Sequence, residues 1–203
     1  MDDRALSVGT DGSRTRTVTW RDPAETWRLA RGMSGLEFLS AMRDGEIPPP
    51  PVAALVGMEI DAVERGRVVF AFRPAEFHFN PNGVVHGGIA ALVCDTACGC
   101  AVTTELPVGD TCATLEIKVN YIRPVGPGAP RLTCEGSILH LGRRSAVAEA
   151  RLTDPEGRLI AHATSTLMVF SPEEPHGGDG GGRAQRLSPP ERTPRNRGPS
   201  APQ

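Results

Sequence analysis

The sequence predicts an α+β domain. Two β-prone runs precede a single stretch of helical character, four more β-prone runs follow it, and short connections between successive strands imply antiparallel pairing. No internal repeat interrupts that order.

Taken from the N-terminus, residues 24–43 (AETWRLARGMSGLEFLSAMR) carry Trp27, Ala30, Leu36, Leu39 and Met42 at helical spacing, broken near Gly32 and Gly35. Two short helices are expected. The EIPPPP run is expected to be extended, because each proline fixes φ and turns the preceding residue away from the helical region. From Val52 the pattern changes to strands, and GMEIDAVERGRVVFAFRP holds two runs joined at Glu64-Arg65-Gly66. A helix is expected from Gly87 to Glu105, ended by Pro107 and Gly109. In CATLEIKVNYIRPV, Leu115, Ile117, Val119 and Tyr121 alternate with Thr114, Glu116, Lys118 and Asn120, the pattern of a half-buried strand. RLTCEGSILHLG, RRSAVAEARLTD and RLIAHATSTLMVF complete the set, with turns at Gly142-Arg143 and at 154–157.

These elements divide the chain into a domain at 52–170, a helical and proline-rich arm at 20–51, and two tails at 1–19 and 171–203. The tails are rich in Gly, Pro, Ser and Arg and poor in apolar side chains, so they cannot offset the entropy of ordering and are expected to be disordered. A net charge of −2 gives no general attraction for nucleic acid or an anionic membrane. No apolar run is long enough to cross a bilayer and the polar start is unlike a signal peptide, so a cytoplasmic protein is expected. The five cysteines (Cys94, Cys98, Cys100, Cys112, Cys134) form no CxxC pair and lack a nearby histidine to complete a tetrahedral set. They read as small buried residues, and no metal site is expected.

Between Ile89 and Val102 the only ionisable side chain other than the thiols is Asp95. A helix without a polar stripe is expected to be buried on all sides, by its own sheet or by a second subunit. An ionised carboxylate there costs several kcal/mol unless it is paired, and aspartate is a poor helix former. Asp95 therefore needs a compensating role, either a hydrogen bond to nearby backbone or chemistry. His86-Gly87-Gly88 ahead of it points to chemistry: glycine lets a ligand approach the backbone, and the first amides of a helix, at the positive end of its dipole, suit an oxygen gaining negative charge. The same glycines also permit tight packing of helix on sheet. Gly87 and Asp95 are eight residues apart, about 12 Å along a helix axis. To act on one carbonyl they must come from two antiparallel helices in a two-fold dimer with two composite sites.

Three blocks, FNPNGVVHGGIAALVCDTACGCA, TLEIKVNYIRPV and HLGRRSAVAEARLTDPEGRLIAHATSTLMVF, resemble the hotdog-fold acyl-CoA thioesterases of the phenylacetyl-CoA (PaaI-like) type over about residues 52 to 170. The resemblance implies an antiparallel sheet wrapped around one long central helix, a homodimer or dimer of dimers (homotetramer), an acyl-CoA substrate and no cofactor. It implies that the Gly87 amide polarises the thioester carbonyl, that His86 orients that carbonyl or the loop, and that Asp95 of the partner subunit acts as general base or as nucleophile. Asn80 would hold water or the thioester, and Thr114 would stand near the carboxylate; the first is equally an ordinary turn residue and the second an ordinary strand residue. Gly88, Arg123, Arg143 and Arg144 form the expected substrate and CoA set, since arginine forks suit phosphate, although two arginines in a turn also make a plain solvated corner. One donor site and one carboxylate suffice for hydrolysis without a metal, and no Gly-x-Ser-x-Gly elbow is present. Two other hotdog functions compete: acyl-CoA or acyl-carrier binding without turnover, and dehydration of 3-hydroxyacyl thioesters with His86 and Asp95 as an acid/base pair. His-Gly-Gly ahead of a helical aspartate fits the hydrolase better. The acyl group, aryl or short to medium aliphatic, is not legible.

Overall fold

The computed structural model describes residues 6–171. Of the tail expected to be disordered over residues 1–19, residues 1–5 lie outside the described residues, and from Leu6 onward β1 (Leu6–Val8) and β2 (Arg14–Arg16) form an antiparallel hairpin instead. The turn is closed by the Gly9 N–H on the Ser13 carbonyl (2.8 Å), with Gly12 at φ 81°, a value only glycine adopts readily. Charged side chains do the anchoring that apolar ones would do elsewhere. The Arg16 guanidinium donates to the carbonyls of Leu55 and Ala54 and lies 3.9 Å over the Phe77 ring, while Arg14 pairs with Glu76. The expected tail at 171–203 lies outside the described residues apart from Ser171.

The arm forms the two expected helices, α1 (Pro23–Leu29) and α2 (Gly35–Arg43). Asp22 caps the first; Ser34 and Glu37 form a reciprocal capping box on the second. The proline run is extended only as far as Pro50. Pro51 opens a third helix, α3 (Pro51–Val56), where a strand was expected, because a first-turn proline gives up an N–H that has no helical partner anyway.

Six strands make one antiparallel sheet: β3 (Met58–Glu64), β4 (Arg67–Phe72), β5 (Thr111–Tyr121), β6 (Leu132–Leu141), β7 (Ser145–Thr153) and β8 (Leu159–Phe170). Their order is β3-β4-β6-β7-β8-β5, so β5 is an edge. The sheet wraps the central helix α4 (Gly87–Thr103), giving the α+β hotdog architecture. Helix and sheet meet most closely at Gly136, where a Cβ would stand 2.1 Å from the Ala97 carbonyl oxygen. Small side chains on α4 allow that approach: Ala90, Val93, Cys94, Ala97, Cys98, Ala101 and Val102 are buried against the sheet.

The other flank of α4 departs from expectation. Asp95, Thr96, Gly99, Cys100 and Thr103 are only half-buried, because the sheet covers one side of the helix. The edge strand departs too. A bulge between Thr114 and Glu116 breaks the alternation, Leu115 is 57% and Tyr121 58% exposed, and only Ile117 and Val119 of the expected apolar row pack against the core. Among the described residues no helix is long and apolar enough to cross a membrane.

Candidate active site

Helix α4 begins with a histidine cap. The Nδ1 of His86 accepts the Gly88 N–H at 2.9 Å, and a Cβ at position 88 would press to 3.0 Å from that nitrogen, so glycine lets the imidazole fold back. The Ile89 and Ala90 amides reach the His86 carbonyl. The Gly87 N–H finds no acceptor among the described residues. Its carbonyl does have a partner, the Tyr121 hydroxyl, which donates at 3.1 Å. The Tyr121 ring lies so close that a Cβ on Gly87 would sit 3.2 Å away. Both glycines therefore have steric reasons. A pocket of about 300 Å³ opens here, lined by Gly87, Tyr121 and Arg123 with apolar walls from Phe72, Leu132 and Leu152. An amide without a partner at a helix N-terminus, beside such walls, has the chemistry to donate to an oxygen that gains negative charge.

The loop before the helix is held from below. The His86 N–H donates to the His78 carbonyl and Val85 N–H to Val125, both at 2.8 Å. His78 is buried, its Nδ1 accepts the Ala75 N–H at 3.0 Å, and burial pushes its pKa below the ordinary value of 6.5. Sequence reading missed both His78 and Tyr121; nothing in their spacing separates them from ordinary strand and loop residues. Asn80 uses its side-chain oxygen to take the N–H groups of Asn82 (2.9 Å) and Val84 (3.4 Å), so it shapes its own turn.

A second group assembles further along the helix. Thr114 donates to Oδ1 of Asp95 at 2.9 Å, and the other carboxylate oxygen has no partner among the described residues. Substantial burial of Asp95 was expected; the single chain leaves it half-buried, on the flank of α4 beside the edge strand β5. The Arg143-Arg144 turn joins β6 to β7 at this same end, since Ser145 pairs with Met168 and Met168 with Ala113, next to Thr114. Both arginines are exposed. Arg123 is at the opposite end, where its guanidinium already donates to the Leu159 carbonyl.

The expected site residues thus fall into two groups. His86, Gly87, Gly88 and Arg123 stand at the start of α4, and Asp95, at the middle of the helix, stands with Thr114 on the side of the Arg143-Arg144 turn. The neighbouring thiols are poor nucleophiles. Burial, reinforced by Cys94 and Asp95, pushes Cys98 up to about 12, and burial with Cys112 and Asp95 does the same to Cys100.

The model of the thioesterase superfamily matches residues 82–161, the span from the Asn80 turn to the start of β8. The medium/long-chain acyl-CoA thioesterase YigI of Escherichia coli K12 is 31% identical over 134 residues, covering 59% of this chain and 85% of that protein. The chain belongs to the thioesterase superfamily. It is a thioester hydrolase with the hotdog fold, of the PaaI type. Another relative of this thioesterase is the 1,4-dihydroxy-2-naphthoyl-CoA hydrolase of Listeria monocytogenes, 26% identical over 114 residues, which cover 56% of this chain and 91% of that one. Among solved structures, a phenylacetic acid degradation-related protein from Ralstonia eutropha JMP134 superposes with a TM-score of 0.59 at 31% identity, covering 64% of this thioesterase and 97% of that chain.

Proposed function

We propose that this thioesterase hydrolyses acyl-CoA to the free acid and CoA, in the cytoplasm, at sites shared between two copies of the chain. The observation that carries the reading is the separation of its two halves. An acceptor-free Gly87 amide and an Asp95 with one free oxygen occupy one helix, about 12 Å apart along its axis. No single carbonyl reaches both. The open edge of β5, with Leu115 and Tyr121 exposed, supports a pairing that closes the gap. Two copies of an edge strand related by a two-fold axis run antiparallel, so the Tyr121 end of one meets the Thr114 end of the other. Gly87 then faces Asp95 of the partner subunit.

In that site the Gly87 N–H takes the carbonyl oxygen and strengthens its hold as negative charge develops there. Asp95 either removes a proton from water as that water attacks the carbonyl carbon, or attacks the carbon itself to give an anhydride that water opens. In either route the C–S bond breaks and the sulfur of CoA leaves as thiolate, to be reprotonated. Thr114 fixes one carboxylate oxygen and leaves the other for the reaction. His86 keeps the helix start in shape, Gly88 lets it do so, and Asn80 holds the turn that borders the pocket. Arg143 and Arg144, joined across the dimer by Arg123, are the phosphate contacts for CoA.

A thiol-release assay over a panel of acyl-CoAs tests this. Asp95→Asn is expected to lose roughly 10²–10⁴ of the rate, the usual contribution of a positioned acid or base; retention of full activity would remove Asp95 from the mechanism. Mixing Asp95→Asn with Gly87→Pro is expected to restore one competent site per mixed dimer. Absence of recovery after confirmed subunit exchange rules out shared sites. If the wild type binds acyl-CoAs and releases no thiol, the non-catalytic reading replaces this one.

A further inference from the structure

The flank of α4 that the sheet leaves uncovered borders a second cavity, about 900 Å³, lined by the N-terminal arm, β3, β4 and α4. Phe38 and Met42 of α2, Ile60 of β3 and Phe70 of β4 supply apolar surface. Thr96, Cys100 and Thr103 of α4 line the facing side at helical spacing. These three are less polar than their names suggest. The hydroxyls of Thr96 and Thr103 each donate at 2.9 Å to the carbonyl one turn back, Leu92 and Gly99, and the Cys100 thiol, pushed up to about 12 by burial, stays neutral. Of the charged side chains at the border, Arg43 is paired with Asp44 and Asp110 accepts the Ser171 hydroxyl, while Arg31 and Glu59 also line the cavity.

The cavity has a direction. It starts beside the reacting carboxylate: Thr96 follows Asp95 on the helix, and Cys112 lines the wall two residues before Thr114. From Asp95 it follows α4 to Thr103, eight residues or about 12 Å along the axis. The arm shuts its far end. The Gly35 N–H at the start of α2 donates to the Leu106 carbonyl at 3.0 Å, and the backbones touch so closely that a Cβ on Gly35 would stand 1.7 Å from the Thr103 carbonyl oxygen.

We propose that this chamber receives the acyl chain, that its occupant is a medium- to long-chain aliphatic group, and that the N-terminal arm is its roof. The proposal rests on Asp95 being the carboxylate of the hydrolase. The volume lies in the upper part of the range of about 300–1,000 Å³ typical of whole ligand sites. A single aryl ring fills only the mouth of it. The apolar surface of Phe38, Met42, Ile60 and Phe70, facing threonine hydroxyls that are turned back on their own helix, suits a hydrocarbon chain.

The test fills the chamber from two sides in the full chain, with Cys100→Phe on α4 and Ala30→Trp on the arm, each checked by circular dichroism so that one well-folded variant suffices. Thiol release is measured with acetyl-, hexanoyl-, dodecanoyl- and phenylacetyl-CoA, and binding of dodecanoate by calorimetry. The wild type is expected to prefer dodecanoyl-CoA, and the filled variants to lower kcat/KM for it by about tenfold or more while acetyl-CoA changes by less than about threefold. Dodecanoate binding is expected to disappear in parallel. An unchanged chain-length profile and unchanged dodecanoate binding in the filled variants overturn the chamber and leave the hydrolase standing. Dodecanoate binding that the variants abolish, in a wild type that hydrolyses no acyl-CoA, retains the chamber and overturns the hydrolase.

Discussion

Gly87 is glycine because Tyr121 lies on it. With a Cβ 3.2 Å from the ring, Gly87→Ala forces either the tyrosine or the helix start to shift, and the amide moves with it. Gly87→Ala is expected to lower kcat by about 10²-fold, the scale of losing one oxyanion donor, with a smaller change in KM. Steady-state kinetics on any accepted acyl-CoA decides it. Thr114→Val removes one neutral-to-charged hydrogen bond from Asp95 and is expected to cost roughly fivefold to tenfold in kcat. The thiols give a chemical check at the same scale. Cys98 is fully buried and pushed up to about 12, so native protein at pH 8 is expected to resist iodoacetamide there and to react only once denatured, as mass spectrometry of the labelled peptide reports.

At the scale of elements, close backbone contacts hold the helix in its sheet. Gly136→Ala puts a methyl group 2.1 Å from the Ala97 carbonyl and is expected to destabilise the fold by about 3 kcal/mol, the upper part of the range for overpacking, in urea titration. The loop that presents His86 depends on neutral His78. Burial lowers the pKa of His78 in the folded state below 6.5, so its contribution is complete above that value and is lost as pH falls through the lower folded value. The wild type is therefore expected to lose more stability between pH 7.5 and 5 than His78→Gln does, measured as the shift in the urea midpoint. The N-terminal hairpin is held by arginines, and Arg16 alone reaches two carbonyls and a ring. Its apolar content gives no warning of this, because composition counts side chains that bury and not side chains that bridge.

At the scale of the whole molecule, the decisive feature is the open edge of β5. Lysine at Leu115, in the middle of that edge, is expected to separate the copies and abolish turnover together, with mass by light scattering and activity read on the same sample. A monomer that keeps full activity would show that each chain completes its own site.

The order of the six sheet strands and the central helix was written in the sequence, because strand and helix periods are local properties, whereas the N-terminal hairpin and α3 were not. The glycine pair before α4, the lone carboxylate within it and the turn residues at 142–143 and 154–157 stand out from their neighbours, and the family resemblance rests on those same blocks. The gap between Gly87 and Asp95 was also legible, since eight residues of helix have a fixed length. Tertiary structure decided everything that depends on residues distant in the chain. The Tyr121 contact with Gly87 joins positions 34 residues apart, and Arg16 crosses 38 to 39 residues to α3. Only the wrapped sheet shows that α4 has a bare flank and that the arm roofs it. Hydropathy along a chain records which side chains avoid water, while the neighbour that shelters each one is chosen by the fold.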